Sequence, residues 1–590
     1  MKLSEKITAI TAKNKNVLLV SFAISTFLVG ITLIWMLLIN AQYFSSADDC
    51  ILKKVVEGAS SSANAPFSPR PYMVFCNYIY GLILSFFYLI LPCVPWYTIF
   101  LLLISVFAYT LLLYKILLLC RQSATKSFIG LTVFIMLYLI ANFVLQIGFT
   151  GTAVLCCGVG VFYYLTSSHN ADKKEKIFDT VNLCLLALLT IFLREETIYV
   201  FVAFCALIFI FKLVANIKDY KKATLAVLPV LACLLFAFSV QLVVKNLPNN
   251  KSYSEYNYDR SMVFDYYGFP DWAENSEFYE EIGIDYESYE ILATNTFIFD
   301  DILNAEQLSE IADFQMAKNA NQGIFVRVGD AFKGMIDNLS NYSFTRSAYI
   351  IVFFMIALLV VNIALKNKLR VWLILGFIIT SILLYFYLNF IQRAPGRAVR
   401  PIYFIVLLAC TYLVLSQDFE FLKAIKPKYL YYGITAALLI VCVPGIYINL
   451  REDRAASLGY AENIAVSTEL RNYVLDNSEN NYIVGFNDFY TAENLFFNNN
   501  SLARMNFISR SVWDINYPEV KSVYAEWGID SVTVANICDK NTYLVFSQGG
   551  KEYFAFDAYI AKHHMDMAIA EIDIINTDYG NLSVYQIISE

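Results

Sequence analysis

Twelve apolar runs, most of them about twenty residues long, constrain this chain more than any other feature. They cover residues 17–40, 72–91, 97–119, 128–147, 150–166, 177–193, 197–215, 224–245, 348–365, 370–389, 401–416 and 429–448. A helix of about 20 apolar residues crosses the hydrocarbon core of a bilayer. Inside that core the backbone must satisfy its own hydrogen bonds, which a helix does within one segment. The expected fold class is therefore a polytopic α-helical membrane protein. Composition agrees: 58% of residues are hydrophobic and only 16% charged, against roughly 25% charged in an average soluble domain. The net charge of −7, with no basic stripe interleaved with aromatics, argues against a nucleic-acid partner. The first run exceeds a signal-peptide core and no small-residue cleavage site follows it, so it is expected to remain as an anchor.

Most of the 12 cysteines fall inside apolar runs, where they act as small buried hydrophobes. No CxxC pair points to structural zinc. Cys50 and Cys76 could bridge if both lie outside. With only three histidines, His169, His563 and His564, acid–base chemistry near the membrane must rest on carboxylates.

Orientation follows the basic loops, which stay cytoplasmic. Lys2, Lys6, Lys13 and Lys15 put the N-terminus inside. Loops at Arg121/Lys126, Lys173–Lys176, Lys218–Lys222, Lys366–Arg370 and Lys423–Lys428 then alternate with loops poor in Lys and Arg. All five fall inside only if run 72–91 does not cross. That run is bounded by Pro66, Pro69, Pro71, Pro92 and Pro95, so it is expected to lie in or dip into the outer face. The count becomes about eleven spans, with the C-terminus outside. The expected organisation is a transmembrane domain over 1–448, with outer loops 41–96 and 246–346, followed by an extracytoplasmic α/β domain over 449–590.

The 246–346 loop holds 18 acidic residues against 6 basic ones. Its segment FDDILNAEQLSEIADF reads as a helix start capped by Asp300 or Asp301, and 324–340 as an amphipathic helix on the membrane surface. In the tail, YIVGFND, ARMNFIS, DSVTVAN, TYLVFSQ, AEIDIIN and LSVYQII read as strands. Residues 461–476, 516–527 and 553–565 read as helices.

With that orientation, charges converge on one face. FSSADDC places Asp48 and Asp49 at the exit of the first run. LREETIY puts Arg194, Glu195 and Glu196 at a hairpin tip. Gln146 and the FTGT turn lie on the same side, and QRAPGRAVRP adds Arg393, Arg397 and Arg400. Charged groups near membrane depth are expensive and are functional candidates by default. Taken singly, each has a plainer reading: a solvated cap, a headgroup anchor, a local ion pair. Carboxylates facing arginines suggest a base beside an anion, because Arg forks onto phosphate. A phosphate in the headgroup plane with an apolar tail in lipid would fit such a site, as in a polyprenyl-phosphate-linked sugar.

This layout resembles the GT-C glycosyltransferases, the superfamily of protein O-mannosyltransferases and the lipid A aminoarabinose transferase. The likeness rests on the acidic pair of ADDC after the first span, on the Pro-flanked stretch SPRPYMVFCNYIYGLILSFFYLILPCVPW, and on LREE after a mid-chain span. It covers about residues 17–245. Asp49 stands where many relatives have Glu, and neither the 246–346 loop nor the tail matches a motif. The resemblance implies an inverting sugar transfer from a polyprenyl-phosphate donor to an extracytoplasmic acceptor: a surface glycan, a wall polymer or a protein. Asp48 would be the general base, with Asp49 beside it. Arg393 and Arg397 would stabilise the leaving phosphate, with Arg194 helping and Glu195 orienting it. A divalent metal at the Asp pair stays open. Tyr266 and Trp272 could stack on sugar faces, although an aromatic loop interior explains either one as well. The abundance of Lys, Ile, Asn and Tyr suits an AT-rich bacterial genome, which would make the carrier undecaprenyl phosphate. The rival readings are a transporter or flippase of lipid-linked sugars and a polymerase or ligase of lipid-linked glycans.

Overall fold

The computed structural model describes residues 14–39, 44, 46–58, 69–120, 124–141, 143–167, 173–215, 220–294, 299–341, 348–416, 447, 451, 454–456, 458–485, 506–510 and 517–590. The membrane half contains α1 (Asn14–Leu38), α2 (Ala47–Glu57), α3 (Tyr78–Ile90), α4 (Trp96–Cys120), α5 (Ala124–Ala141), α6 (Phe149–Thr166), α7 (Lys173–Leu193), α8 (Thr197–Ala215) and α9 (Tyr220–Lys245). A helical stretch follows: α10 (Pro248–Ser261), α11 (Trp272–Glu281), α12 (Tyr286–Thr294), α13 (Ala305–Asn321) and α14 (Ile324–Asn341). The chain then returns to the bundle as α15 (Ala348–Ala364), α16 (Lys368–Phe390) and α17 (Gly396–Leu415).

Among the described residues, eight helices are long and apolar enough to cross a membrane: α1, α4, α6, α7, α8, α9, α16 and α17. This is a multi-pass membrane protein. Two more of the expected runs form the shorter apolar helices α5 and α15, and run 429–448 lies outside the described residues. Helix α3 has 13 residues. At 1.5 Å per residue it spans about 20 Å, short of a hydrocarbon core of about 30 Å. Leu82, Phe86, Leu89 and Ile90 are exposed on it, while Tyr80, Leu84 and Tyr88 face the bundle. Apolar side chains are also exposed along α1, α9 and α16; these surfaces match lipid, not water.

The bundle is organised around α6, which packs against α4, α7, α8 and α17 and is buried along almost its whole length. Its glycines let neighbours approach closely, as small residues do between membrane helices. A Cβ at Gly158 would stand 2.3 Å from the Phe404 ring, and one at Gly160 would stand 2.7 Å from Phe201.

The C-terminal region begins with a helix over 458–476 (α18) and forms a five-stranded sheet. Its strands are β1 (Asn481–Gly485), β2 (Phe507–Arg510), β3 (Thr542–Ser547), β4 (Met567–Ile575) and β5 (Leu582–Ser589), in the order β2-β1-β3-β5-β4. The first three run parallel, while β3–β5 and β5–β4 are antiparallel. Helix α18 covers one face with Val466, Leu470 and Val474. The other face packs against α19 (Pro518–Glu526) and α21 (Lys551–His563). The expected strand DSVTVAN is not one: Thr533 caps the short helix α20 (Val534–Ile537) by accepting from Asn536 N–H. A local hydroxyl cap outweighs the β preference of its valines.

The expected cap at Asp300 or Asp301 is also corrected. Helix α13 begins at Asn304, in a capping box with Gln307. Asp300 instead accepts from Ser531 Oγ and Val532 N–H, each at 2.9 Å, and Asp301 accepts from Val534 N–H at 3.0 Å. These bonds join the 246–346 loop to the C-terminal region. The two also share one apolar core, with Tyr253, Tyr279, Ile302 and Leu308 on one side and Ile483, Val532, Phe556 and Tyr559 on the other. Ile51 and Val55 of α2 join the same core, while Leu52 and Val56 join the bundle core, so α2 is clamped between the two. The amphipathic helix is present as α14, with Phe325, Phe332 and Ile336 exposed. Cys50 and Cys76 are both buried thiols, and no disulfide joins them.

Candidate functional site

Helix α2 starts immediately after Ser46, so Asp48 and Asp49 both fall in its first turn, where the helix dipole favours negative charge. They face different surroundings. Asp49 is fully buried, and its Oδ1 accepts from Tyr97 OH and from Phe149 N–H, both at 2.8 Å. Its Oδ2 accepts from Ser46 Oγ at 2.9 Å. One carboxylate thus ties the start of α2 to the N-terminal ends of α4 and α6. Tyr97 and the Phe149 amide carry no signal in the sequence, because their role exists only once α4 and α6 pack beside α2.

Burial pushes the Asp49 carboxyl up to about 7, against the downward pull of Phe149, Tyr97 and Ser46, with a smaller upward push from Asp48. The folded chain therefore holds this proton more tightly than the unfolded chain. The associated stability is complete below about pH 4 and is lost as pH rises through 7, a change on the order of 4 kcal/mol. Asp49→Asn keeps an oxygen for Tyr97 and Phe149 and an amide for Ser46. It is expected to flatten the dependence of the melting temperature on pH between 4 and 8 in detergent. An unchanged slope would assign that titration to other groups.

Asp48 is the less buried member of the pair. Its Oδ2 accepts from Arg397 Nη1 at 3.2 Å. Arg397 lies in the first turn of α17, which opens after Pro395 and directs its N-terminus to this end of the bundle. Arg194 sits beside the pair. Its guanidinium donates to Thr150 Oγ1 at 2.6 Å, lies 5.5 Å from the Phe149 ring centre and pairs with Glu196 at 3.3 Å. Burial lowers the tendency of Arg194 to hold its proton, Glu196 opposes this, and Arg397, Asp48 and Arg393 also act on it. Three arginines thus share one electrostatic neighbourhood.

Arg393 follows Gln392, whose φ of 55° turns the chain sharply after α16. Its guanidinium lies 4.6 Å from the Tyr266 ring centre and 3.4 Å from Asp265. Arg260 holds the same Asp265 at 3.0 Å. Tyr266 therefore supports an arginine. Trp272 stacks on Tyr279 at 5.5 Å within a cluster containing Tyr286 and Tyr289, as an interior residue does.

Glu195 does not orient Arg194: it pairs with Lys245 at 2.7 Å, and Glu196 meets Arg194 instead. After the end of α7 the chain turns, so adjacent carboxylates point in different directions. Burial raises the Glu195 carboxyl and Lys245 opposes it. Arg400 donates to Ala141 O at 3.1 Å and lies 5.1 Å from the Phe143 ring centre, which binds it to the end of α5. Gln146 is half-buried in the turn before α6. Among the described residues no group of three or more His, Cys, Asp or Glu side chains converges as a metal cage would.

The N-terminal ends of α6 and α17 both reach this site, and each presents the positive pole of its dipole. Adding Arg194, Arg393 and Arg397 concentrates positive potential at one end of an apolar bundle. The carboxylates facing it are Asp48, Glu196 and Asp265. Such an arrangement can hold an anion and, through Asp48, accept a proton beside it.

No protein-family description and no curated protein matches the chain. Among solved structures it is similar to ArnT from Cupriavidus metallidurans bound to undecaprenyl phosphate. That alignment covers 95% of this chain and 97% of that one, with a TM-score of 0.48 and 8% identity. It is also similar to the same ArnT in the apo state, over 95% and 98% of the two chains, with a TM-score of 0.46 and 9% identity.

Proposed function

We propose that this membrane protein is a glycosyltransferase of the GT-C type, moving a sugar from a polyprenyl-phosphate donor to an acceptor hydroxyl outside the cytoplasm. The observation that carries this reading is the Asp48–Arg397 pair beside Arg194 and Arg393, at one end of an apolar bundle. In this orientation the N-terminus is cytoplasmic, and the C-terminal α/β domain, residues 449–590, is extracytoplasmic. The donor's tail lies in lipid and its phosphate meets the arginines. Phosphate competes with Asp48 for Arg397 and so frees the carboxylate. Asp48 takes the acceptor's hydroxyl proton as that oxygen attacks the anomeric carbon. The bond from anomeric carbon to phosphate oxygen breaks, the electron pair leaves with the phosphate, and the configuration inverts. Charge growing on the leaving phosphate is stabilised by Arg397, Arg393 and Arg194. Asp49 acts through α2, fixing the helix that carries Asp48.

The test is sugar incorporation in membranes from cells expressing the chain, with a panel of radiolabelled undecaprenyl-phosphate sugars. Incorporation from one donor is expected, with competition by unlabelled undecaprenyl phosphate. Failure with every donor, together with protein-dependent movement of lipid-linked sugar between leaflets, would replace this reading with that of a carrier.

A further inference from the structure

The turn that carries Arg393 has a second side. Arg393 reaches Asp265 and Tyr266, whereas its neighbours Gln392 and Ala394 line a cavity of about 360 Å³. The opposite wall is α14, where Arg327, Asp330, Gly334 and Asn338 recur at helical spacing on one face. They look across to Asn389 and Phe390 at the end of α16. Asn338 Nδ2 donates to Asn389 Oδ1 at 2.9 Å, and Asn389 Nδ2 donates to Tyr385 O at 2.8 Å. The absence of a side chain at Gly334 permits this approach, since a Cβ there would stand 2.9 Å from Asn389 Oδ1.

The chemistry of the lining is specific. The Arg327 guanidinium lies 4.4 Å from the Phe390 ring centre, and its Nε is buried with no hydrogen-bond partner among the described residues. A buried donor of this kind costs free energy unless a bound group or water accepts from it. Arg327 and Asp330 cancel in charge, so the cavity is polar without being cationic. Amides, a carboxylate and a guanidinium together offer both donors and acceptors, which suits hydroxyl groups that do both. A phosphate would favour clustered arginines, which stand instead on the Arg397 side of the turn. The volume lies in the range of small-molecule sites. The exposed Phe325, Phe332 and Ile336 on α14 set the cavity at the level of the lipid surface.

We infer that this cavity binds a neutral sugar unit of the acceptor glycan. The inference rests on the transferase reading above and names its acceptor class as a saccharide. The test is saturation-transfer NMR on the purified full-length chain in detergent, with a panel of free neutral mono- and oligosaccharides and with inorganic phosphate as a separate probe. At least one saccharide is expected to bind, at least tenfold more weakly to Asp330→Ala/Asn338→Ala and equally well to Asp48→Asn. Asp330 is exposed, so Asp330→Ala alone serves if the double variant melts early. In the transfer assay the same variants should raise the acceptor KM and leave the donor KM unchanged. Saccharide binding that survives these substitutions, the lack of any saccharide signal, or preferential binding of phosphate would overturn the inference. Transfer that still depends on Asp48 without saccharide binding removes this inference alone. Saccharide binding without transfer from any donor removes the transferase reading and leaves the sugar site standing.

Discussion

Asp48→Asn is expected to reduce sugar transfer by about a hundred- to ten-thousandfold, the range for removing a positioned base. The loss should fall on kcat. The amide keeps the size of the side chain and an oxygen facing Arg397 but cannot take the acceptor's proton. The fold should hold, because the Asp48–Arg397 pair is partly exposed, and such pairs contribute about 0–1 kcal/mol. A melting curve in detergent close to that of the wild type separates lost chemistry from lost structure. Arg397→Ala should behave differently, raising the donor KM because it removes a phosphate contact made before the reaction. If Asp48→Asn retains transfer within a few fold, the proton goes elsewhere and the proposed role of Asp48 is wrong.

The second large effect lies at the opposite end of the bundle. Lys115 of α4 donates to both carboxylate oxygens of Asp179 of α7, at 2.8 and 2.7 Å, and both residues are buried. The Lys115 ammonium also lies 4.4 Å from the Tyr163 ring centre on α6. Three helices meet at this point. Lys115→Met should destabilise the protein by about 3–5 kcal/mol, because it leaves a carboxylate buried without its counter-ion. Adding Asp179→Leu should recover most of that loss, since an apolar pair of similar volume is often as stable as a buried ion pair. Thermal melting of the single and double variants in one detergent measures both effects. A single variant that melts with the wild type would show that water or lipid headgroups already solvate Asp179. Nothing in the sequence pattern connects these two residues: each lies near the end of its own apolar stretch, and the partners are 64 residues apart.

What the sequence determined by itself is what transfer free energy decides locally. A run of about twenty apolar residues is excluded from water whatever its neighbours do, so the membrane class and most of the helices were legible. The same holds for the amphipathic stripe of α14 and for five of the six expected strands. The candidate charges were legible as well, because any carboxylate or arginine beside a run stands out against it. Their partners were decided by tertiary structure alone. Asp48 meets Arg397 across 349 positions, Asp49 is buried by α4 and α6, and Glu196 replaces Glu195 at Arg194. Asp300 and Asp301 leave the helix they precede to hold the C-terminal region. Local pattern sets the free energy of placing a segment in lipid or water. Which side chains touch depends on how helices distant in sequence pack together, and that packing is fixed by the shapes of many residues at once, among them the Gly158 and Gly160 contacts on α6.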